Sequence, residues 1–126
     1  MNQADEVKNI VKESYAKIAK SCGCGSCGCN TNLTVQKQSG QLGYSQNEME
    51  LVPQGSNLVL GCGNPVAIAS LNTGDIVLDL GSGAGFDVFL AARKVGKTGK
   101  VIGVDITDEM LQKASENAKN GKFTNV

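Results

Sequence analysis

The chain has 126 residues, with 12 basic and 12 acidic side chains, five cysteines and no histidine. That length suits one small domain. The balanced charge gives no long-range reason to expect nucleic acid or an anionic membrane as partner, and the missing histidine removes Ser-His-Asp and Cys-His nucleophiles and His-containing zinc sites.

No apolar run approaches the roughly 18–20 residues of a membrane span. The polar start MNQADEVKNIVKESY lacks the pattern of a secretory signal. The expected location is cytoplasmic, where thiols stay free for ligation or catalysis.

Residues 4–20 are predicted to form a helix. Val7, Ile10, Val11, Ile18 and Ala19 recur at near-helical spacing. Asp5 and Glu6 begin it and Lys17 and Lys20 end it, matching the helix dipole. In residues 21–30, SCGCGSCGCN, glycine and cysteine alternate too densely for helix or strand. Residues 31–57 are polar and read as a long loop, with a short helix over Ser45 to Leu51.

Gly61 to Pro65 forms a tight turn, and Val66 to Leu71 is a short apolar segment. After a turn at Asn72 to Asp75, the run Ile76, Val77, Leu78, Leu80 is broken only by Asp79, which suits a strand covered on both faces in a parallel sheet. Gly81 to Gly85 follows, then a helix from Phe86 to Val95. Val101, Ile102 and Val104 make a second buried strand, ending at Asp105.

Thr107 is the expected N-cap of a last helix, with Asp108 and Glu109 in its first turn. Met110, Leu111, Ala114 and Ala118 give it an apolar face, and Gly121 stops it. A third strand is expected to start at Phe123 to Val126. The back half is therefore β-α-β-α, a right-handed parallel crossover followed by one more helix.

The chemistry concentrates at Asp79-Leu80-Gly81-Ser82-Gly83-Ala84-Gly85, between strand and helix. Gly81 can make the turn, Gly83 can admit a ligand without a Cβ in the way, and Gly85 can let the helix pack close to the strand. The spacing is G-x-G-x-G, not the G-x-G-x-x-G that lays a pyrophosphate on a helix N-terminus. An acidic residue ahead of the glycines repels a phosphate and suits a cation, so the sulfonium and amino-acid tail of S-adenosylmethionine fit better than NAD.

Asp105 ends the second strand, 24 residues after Gly81, where a carboxylate can accept both ribose hydroxyls. Ile106 would flank the adenine. The candidate cofactor residues are Asp79, Gly81, Ser82, Gly83, Gly85, Asp105 and Ile106.

Cys22, Cys24, Cys27 and Cys29 form C-x-C-x-x-C-x-C. Four thiolates in eight residues can hold a soft ion: zinc, copper(I), an iron–sulfur cluster or trivalent arsenic. The bland alternative is a glycine-rich tail with incidental thiols. Cys62 stands alone between two glycines ahead of the first strand. It reads either as an ordinary buried cysteine or as a ligand beside the cofactor's methyl group, and the flanking glycines favour the ligand.

At these residues the chain resembles the arsenite methyltransferases, a branch of the class I S-adenosylmethionine-dependent enzymes. The resemblance runs from Val11 to Val126, through VKESYAKIAKS, the cysteine cluster, LGYS at 42–45, VPQGSNLVLGCGNP at 52–65, VLDLGSGAGFD at 77–87 and VIGVDIT at 101–107. It implies that Asp79, Gly81, Gly83, Gly85 and Asp105 bind S-adenosylmethionine. It implies that Cys62, the catalytic thiol, receives arsenic(III) together with a thiol from Cys22, Cys24, Cys27 or Cys29. In the family's reaction the arsenic lone pair displaces the sulfonium methyl, so no general base is required, and thiolates position the arsenic.

The fold expected is α/β: a Rossmann-like class I methyltransferase fold, truncated after about two parallel strands, with an N-terminal helix and a Cys/Gly-rich loop. Residues 1–56 would carry helix, cluster and loop, and residues 57–126 an incomplete S-adenosylmethionine-binding domain. The substrate implied is arsenite or its thiol adduct. A bare sheet edge would favour self-association or a complementing chain. The rival readings are a metal- or metalloid-binding module without turnover, and a methyltransferase for another small acceptor.

Overall fold

The computed structural model describes residues 3–21, 32–61, 63–65 and 69–126. The elements are α1 (Gln3–Ser21), α2 (Asn32–Gln41), α3 (Gln46–Glu50), β1 (Ile76–Leu80), α4 (Phe86–Val95), β2 (Lys100–Val104) and α5 (Asp108–Asn120). All five cysteines lie outside the described residues, as does the first half of the apolar segment expected at 66–71.

β1 and β2 pair in parallel, Val77 opposite Val101 and Asp79 opposite Gly103, and α4 makes the crossover between them. This is the β-α-β-α order expected of a Rossmann-like class I methyltransferase fold.

α4 is the centre of the core. Val88, Leu90, Ala91, Ala92 and Val95 pack with Val101 of β2 and Tyr44, and Val77, Phe86 and Phe123 close round them. Burying such side chains stabilises the domain by about 1.5–3 kcal/mol each for the larger ones. α1 lies along α5. There Ala19 and Met110 pack with Ala84, and Lys20 pairs with Glu109 at 3.0 Å on the surface.

Five local expectations are corrected. First, α4 covers only the sheet face that carries Val77 and Val101. On the other face Ile76, Leu78 and Leu80 are 77%, 59% and 74% exposed, and Ile102 and Val104 are exposed beside them. Second, the presumed loop at 31–57 contains α2. It is held by Ser39, which is buried and accepts a 2.7 Å bond from Asn57 Nδ2. Carbonyl oxygens of Ser39 and Gly40 take the N–H groups of Leu42, Gly43 and Tyr44 and close its end.

Third, α5 buries Met110 and Asn117, not Leu111; Asn117 Nδ2 donates to the carbonyl of Ala84 at 3.1 Å. Fourth, Gly121 does cap α5, but the left-handed residue there is Lys122. Gly121 is needed because a Cβ would lie 2.6 Å from Pro53. Fifth, residues 123–126 form no strand. They join the sheet through one backbone bond, from Val101 N–H to the Asn125 carbonyl, at 2.8 Å.

Candidate cofactor site

The glycine loop is anchored to the end of β2 by hydrogen bonds that its sequence dictates. Gly81 N–H and Ser82 N–H both donate to the Val104 carbonyl, at 2.7 and 2.9 Å. Gly83 N–H donates to Asp105 Oδ2 at 2.9 Å, and Thr107 N–H donates to Asp105 Oδ1 at 2.9 Å. Asp105 therefore ties the loop to the start of α5 while its remaining lone pairs stay available.

Asp79, Gly81, Ser82, Gly83, Asp105 and Ile106 all line one cavity of about 320 Å³, at the carboxyl ends of the two strands. Space is open where Cβ atoms would sit on Gly81 and Gly83, so a ligand can approach that backbone closely. Ile106 is 63% exposed at the mouth, an apolar surface suited to a flat ring. Ser82 Oγ is buried with no hydrogen-bond partner among the described residues.

Gly85 does not line this cavity. Its predicted task, letting helix approach strand, belongs to Gly103 on β2, where a Cβ would lie 2.8 Å from Ser82 Oγ and 3.0 Å from Val88 Cγ2. Gly85 instead makes room for the Phe89 ring of its own helix.

Burial raises the pKa of the Asp79 carboxyl above the ordinary carboxylate range, and the charge of Asp105 adds to the effect. Burial raises Asp87 as well, against the lowering effect of a hydrogen bond from Tyr44. A raised carboxyl favours the folded state fully below the unfolded pKa, and that contribution is lost as pH rises through the folded one. Asp79→Asn, which cannot ionise, is therefore expected to melt a few degrees above the parent at pH 7. The difference should close as the pH falls to about 4. A scan showing the same difference at both pH values would count against a strained carboxylate here.

Sequence reasoning missed Tyr44 and Asp87, which line the same cavity. The Tyr44 hydroxyl lies 2.7 Å from both the Gly63 carbonyl oxygen and Asp87 Oδ1. LGYS and GFD were visible as strings, but no local periodicity joins residues 43 apart. It also missed Val59, a β-branched residue at φ 55° on the cavity wall, whose N–H is held by Asn57 Oδ1 at 3.1 Å.

The predicted thiol ligands Cys22, Cys24, Cys27, Cys29 and Cys62 lie outside the described residues, though the neighbours of Cys62 do not: Gly61 lines the cavity and Gly63 accepts from Tyr44. No helix among the described residues is long and apolar enough to cross a membrane.

A family described as a methyltransferase domain matches residues 71–126. An arsenite methyltransferase of Halobacterium salinarum is 47% identical over 97% of this chain and 34% of its own length. The arsenite methyltransferase of Mus musculus is 30% identical over 88% of this chain and 28% of its own length. A solved arsenic(III) S-adenosylmethionine methyltransferase from Chlamydomonas reinhardtii superposes on 64% of this chain and 24% of its own, at 36% identity and a TM-score of 0.44. The chain spans about a third of the length of the curated relatives it matches. Across almost its whole length the chain is thus similar to about a third of the arsenite methyltransferases, which are S-adenosylmethionine-dependent methyltransferases, and its residues 71–126 belong to a methyltransferase domain.

Proposed function

We propose that this chain is the cofactor-binding and thiol-bearing part of an enzyme that methylates arsenite held by cysteine thiolates. One observation carries the reading: Asp79 and Asp105, at the ends of adjacent parallel strands, open on one cavity beside a bare glycine backbone.

The residues suit S-adenosylmethionine, which supplies an electrophilic methyl group on a sulfonium sulfur. Asp79 is a half-buried carboxylate whose desolvation a cation relieves. Asp105, fixed by two backbone donors, has lone pairs left for the ribose hydroxyls. Ser82 Oγ, without a partner among the described residues, gains one from a polar ligand. Gly81 and Gly83 leave room for the ligand, Gly85 sets the start of α4, and Ile106 covers the adenine.

Residues 57–126 form the cofactor part, with Cys62, and residues 1–56 bring the cluster of four thiols. Cys62 receives arsenic(III) with thiols drawn from Cys22, Cys24, Cys27 and Cys29, a soft donor set suited to that ion.

Calorimetry with S-adenosylhomocysteine tests the cofactor site. Mass spectrometry for methylated arsenic, with cofactor and a small thiol present, tests the reaction. Arsenite binding without analogue binding would instead favour a metalloid-binding module, and methyl transfer to some other small acceptor would move the substrate.

The uncovered face of Ile76, Leu78, Leu80, Ile102 and Val104 favours association with a second copy or with a chain that completes the sheet. Light scattering behind size exclusion should show a mass that grows with concentration, and Leu78→Lys should return it to that of one chain. A concentration-independent monomer would overturn this.

A further inference from the structure

We infer that Tyr44 is a positioning residue: its hydroxyl fixes Gly63, the residue that follows Cys62 in the chain, against the start of α4. The inference rests on the reading that the Cys62 thiol receives the methyl acceptor.

Gly61 and Gly63 bring no side chains to the turn, so packing alone cannot set its place. Among the bonds from outside that do so are two from consecutive residues. The Tyr44 hydroxyl bonds the Gly63 carbonyl at 2.7 Å. The Gly43 carbonyl accepts from Asn64 Nδ2 at 3.2 Å.

The hydroxyl is itself held. It lies 2.7 Å from Asp87 Oδ1, on the first turn of α4 directly after the glycine loop. The ring stands edge-on to Phe86, centroids 4.7 Å apart and planes at 63°, and the residue is 5% exposed. A phenol has one proton to give. The Asp87 carboxylate and the Gly63 carbonyl share that proton. One side chain thus joins the turn before β1 to the helix after it, and the cofactor cavity lies alongside.

The experiment is alkylation of the whole chain with iodoacetamide, resolved by peptide mass spectrometry so that each cysteine is followed separately. The four cluster cysteines serve as internal references. Tyr44→Phe keeps the ring against Phe86 and removes only the hydroxyl. Without ligand, the Cys62 rate should rise by about threefold or more, the order expected of one lost hydrogen bond, while the cluster rates stay put. Asp87→Ala leaves the whole phenol proton to the Gly63 carbonyl while the ring stays packed on Phe86, and should lower the Cys62 rate. A Cys62 rate in Tyr44→Phe within about twofold of the parent, or below it, overturns the inference, as does a rate in Asp87→Ala at or above the parent's.

Should Tyr44→Phe unfold the chain, circular dichroism shows it, and Asp87→Ala then makes the comparison. Saturating S-adenosylhomocysteine should slow Cys62 alkylation in the parent but no longer in Tyr44→Phe, although calorimetry still finds the analogue bound. If the parent binds no analogue, the cofactor reading fails, and the ligand-free rates still decide the role of Tyr44.

Discussion

Asp105→Ala is expected to weaken S-adenosylhomocysteine binding by about 10- to 100-fold, the loss of one charge-assisted hydrogen bond at about 1.5–3 kcal/mol. The carboxylate has two tasks that this substitution removes together. It accepts from the backbone of Gly83 and Thr107, and we propose that it accepts from the ribose. The tasks separate with an analogue lacking both ribose hydroxyls. If the ribose contact is real, the parent loses affinity for that analogue and Asp105→Ala loses little more, so the two changes are not additive. If the carboxylate only braces the loop, the losses add. Asp105→Asn keeps an acceptor oxygen and should fall between parent and alanine. Calorimetry showing Asp105→Ala within twofold of the parent would remove the ribose assignment altogether.

What could be read from the sequence was what local chemistry fixes. β1, the glycine loop, α4, β2 and α5 each carry a short-range signature: an apolar run, a turn residue, a charged first turn. Their order placed Asp79 and Asp105 on one rim before any coordinates. α2 escaped because its stabilising contact is distant. Asn57 reaches back to Ser39, and the polar helix shows no apolar stripe to betray it. Asn117 escaped because polar residues are ordinarily exposed; the Ala84 carbonyl beside it makes burial favourable. The reading of β1 as covered on both faces took an apolar run as proof of two layers, whereas here one layer packs on it. The link from Tyr44 to Asp87 is tertiary in the same sense. Two short motifs far apart in the chain meet only in the folded molecule.

Gly85→Ala should destabilise the chain by about 2–5 kcal/mol, the largest stability change expected of any single methyl added to the loop. Two costs combine. Gly85 sits at φ 96°, in the left-handed region, which costs a residue with a Cβ about 1–2 kcal/mol. The added carbon would also lie 2.7 Å from Phe89 Cε2 and 2.9 Å from Cζ. That ring cannot swing clear: Phe89 is 1% exposed and packs on Phe123 with centroids 4.7 Å apart. Overpacking of this kind costs about 1–3 kcal/mol more. Against a total stability of about 5–15 kcal/mol for a domain, the melting temperature should fall by about 10 °C. Gly81→Ala is the control. Gly81 is also left-handed, at φ 78°, but a Cβ there meets nothing within 4 Å, so only the backbone cost applies and the loss should be roughly half. If the two variants melt together, the Phe89 contact contributes nothing, and the start of α4 is set by the loop backbone alone.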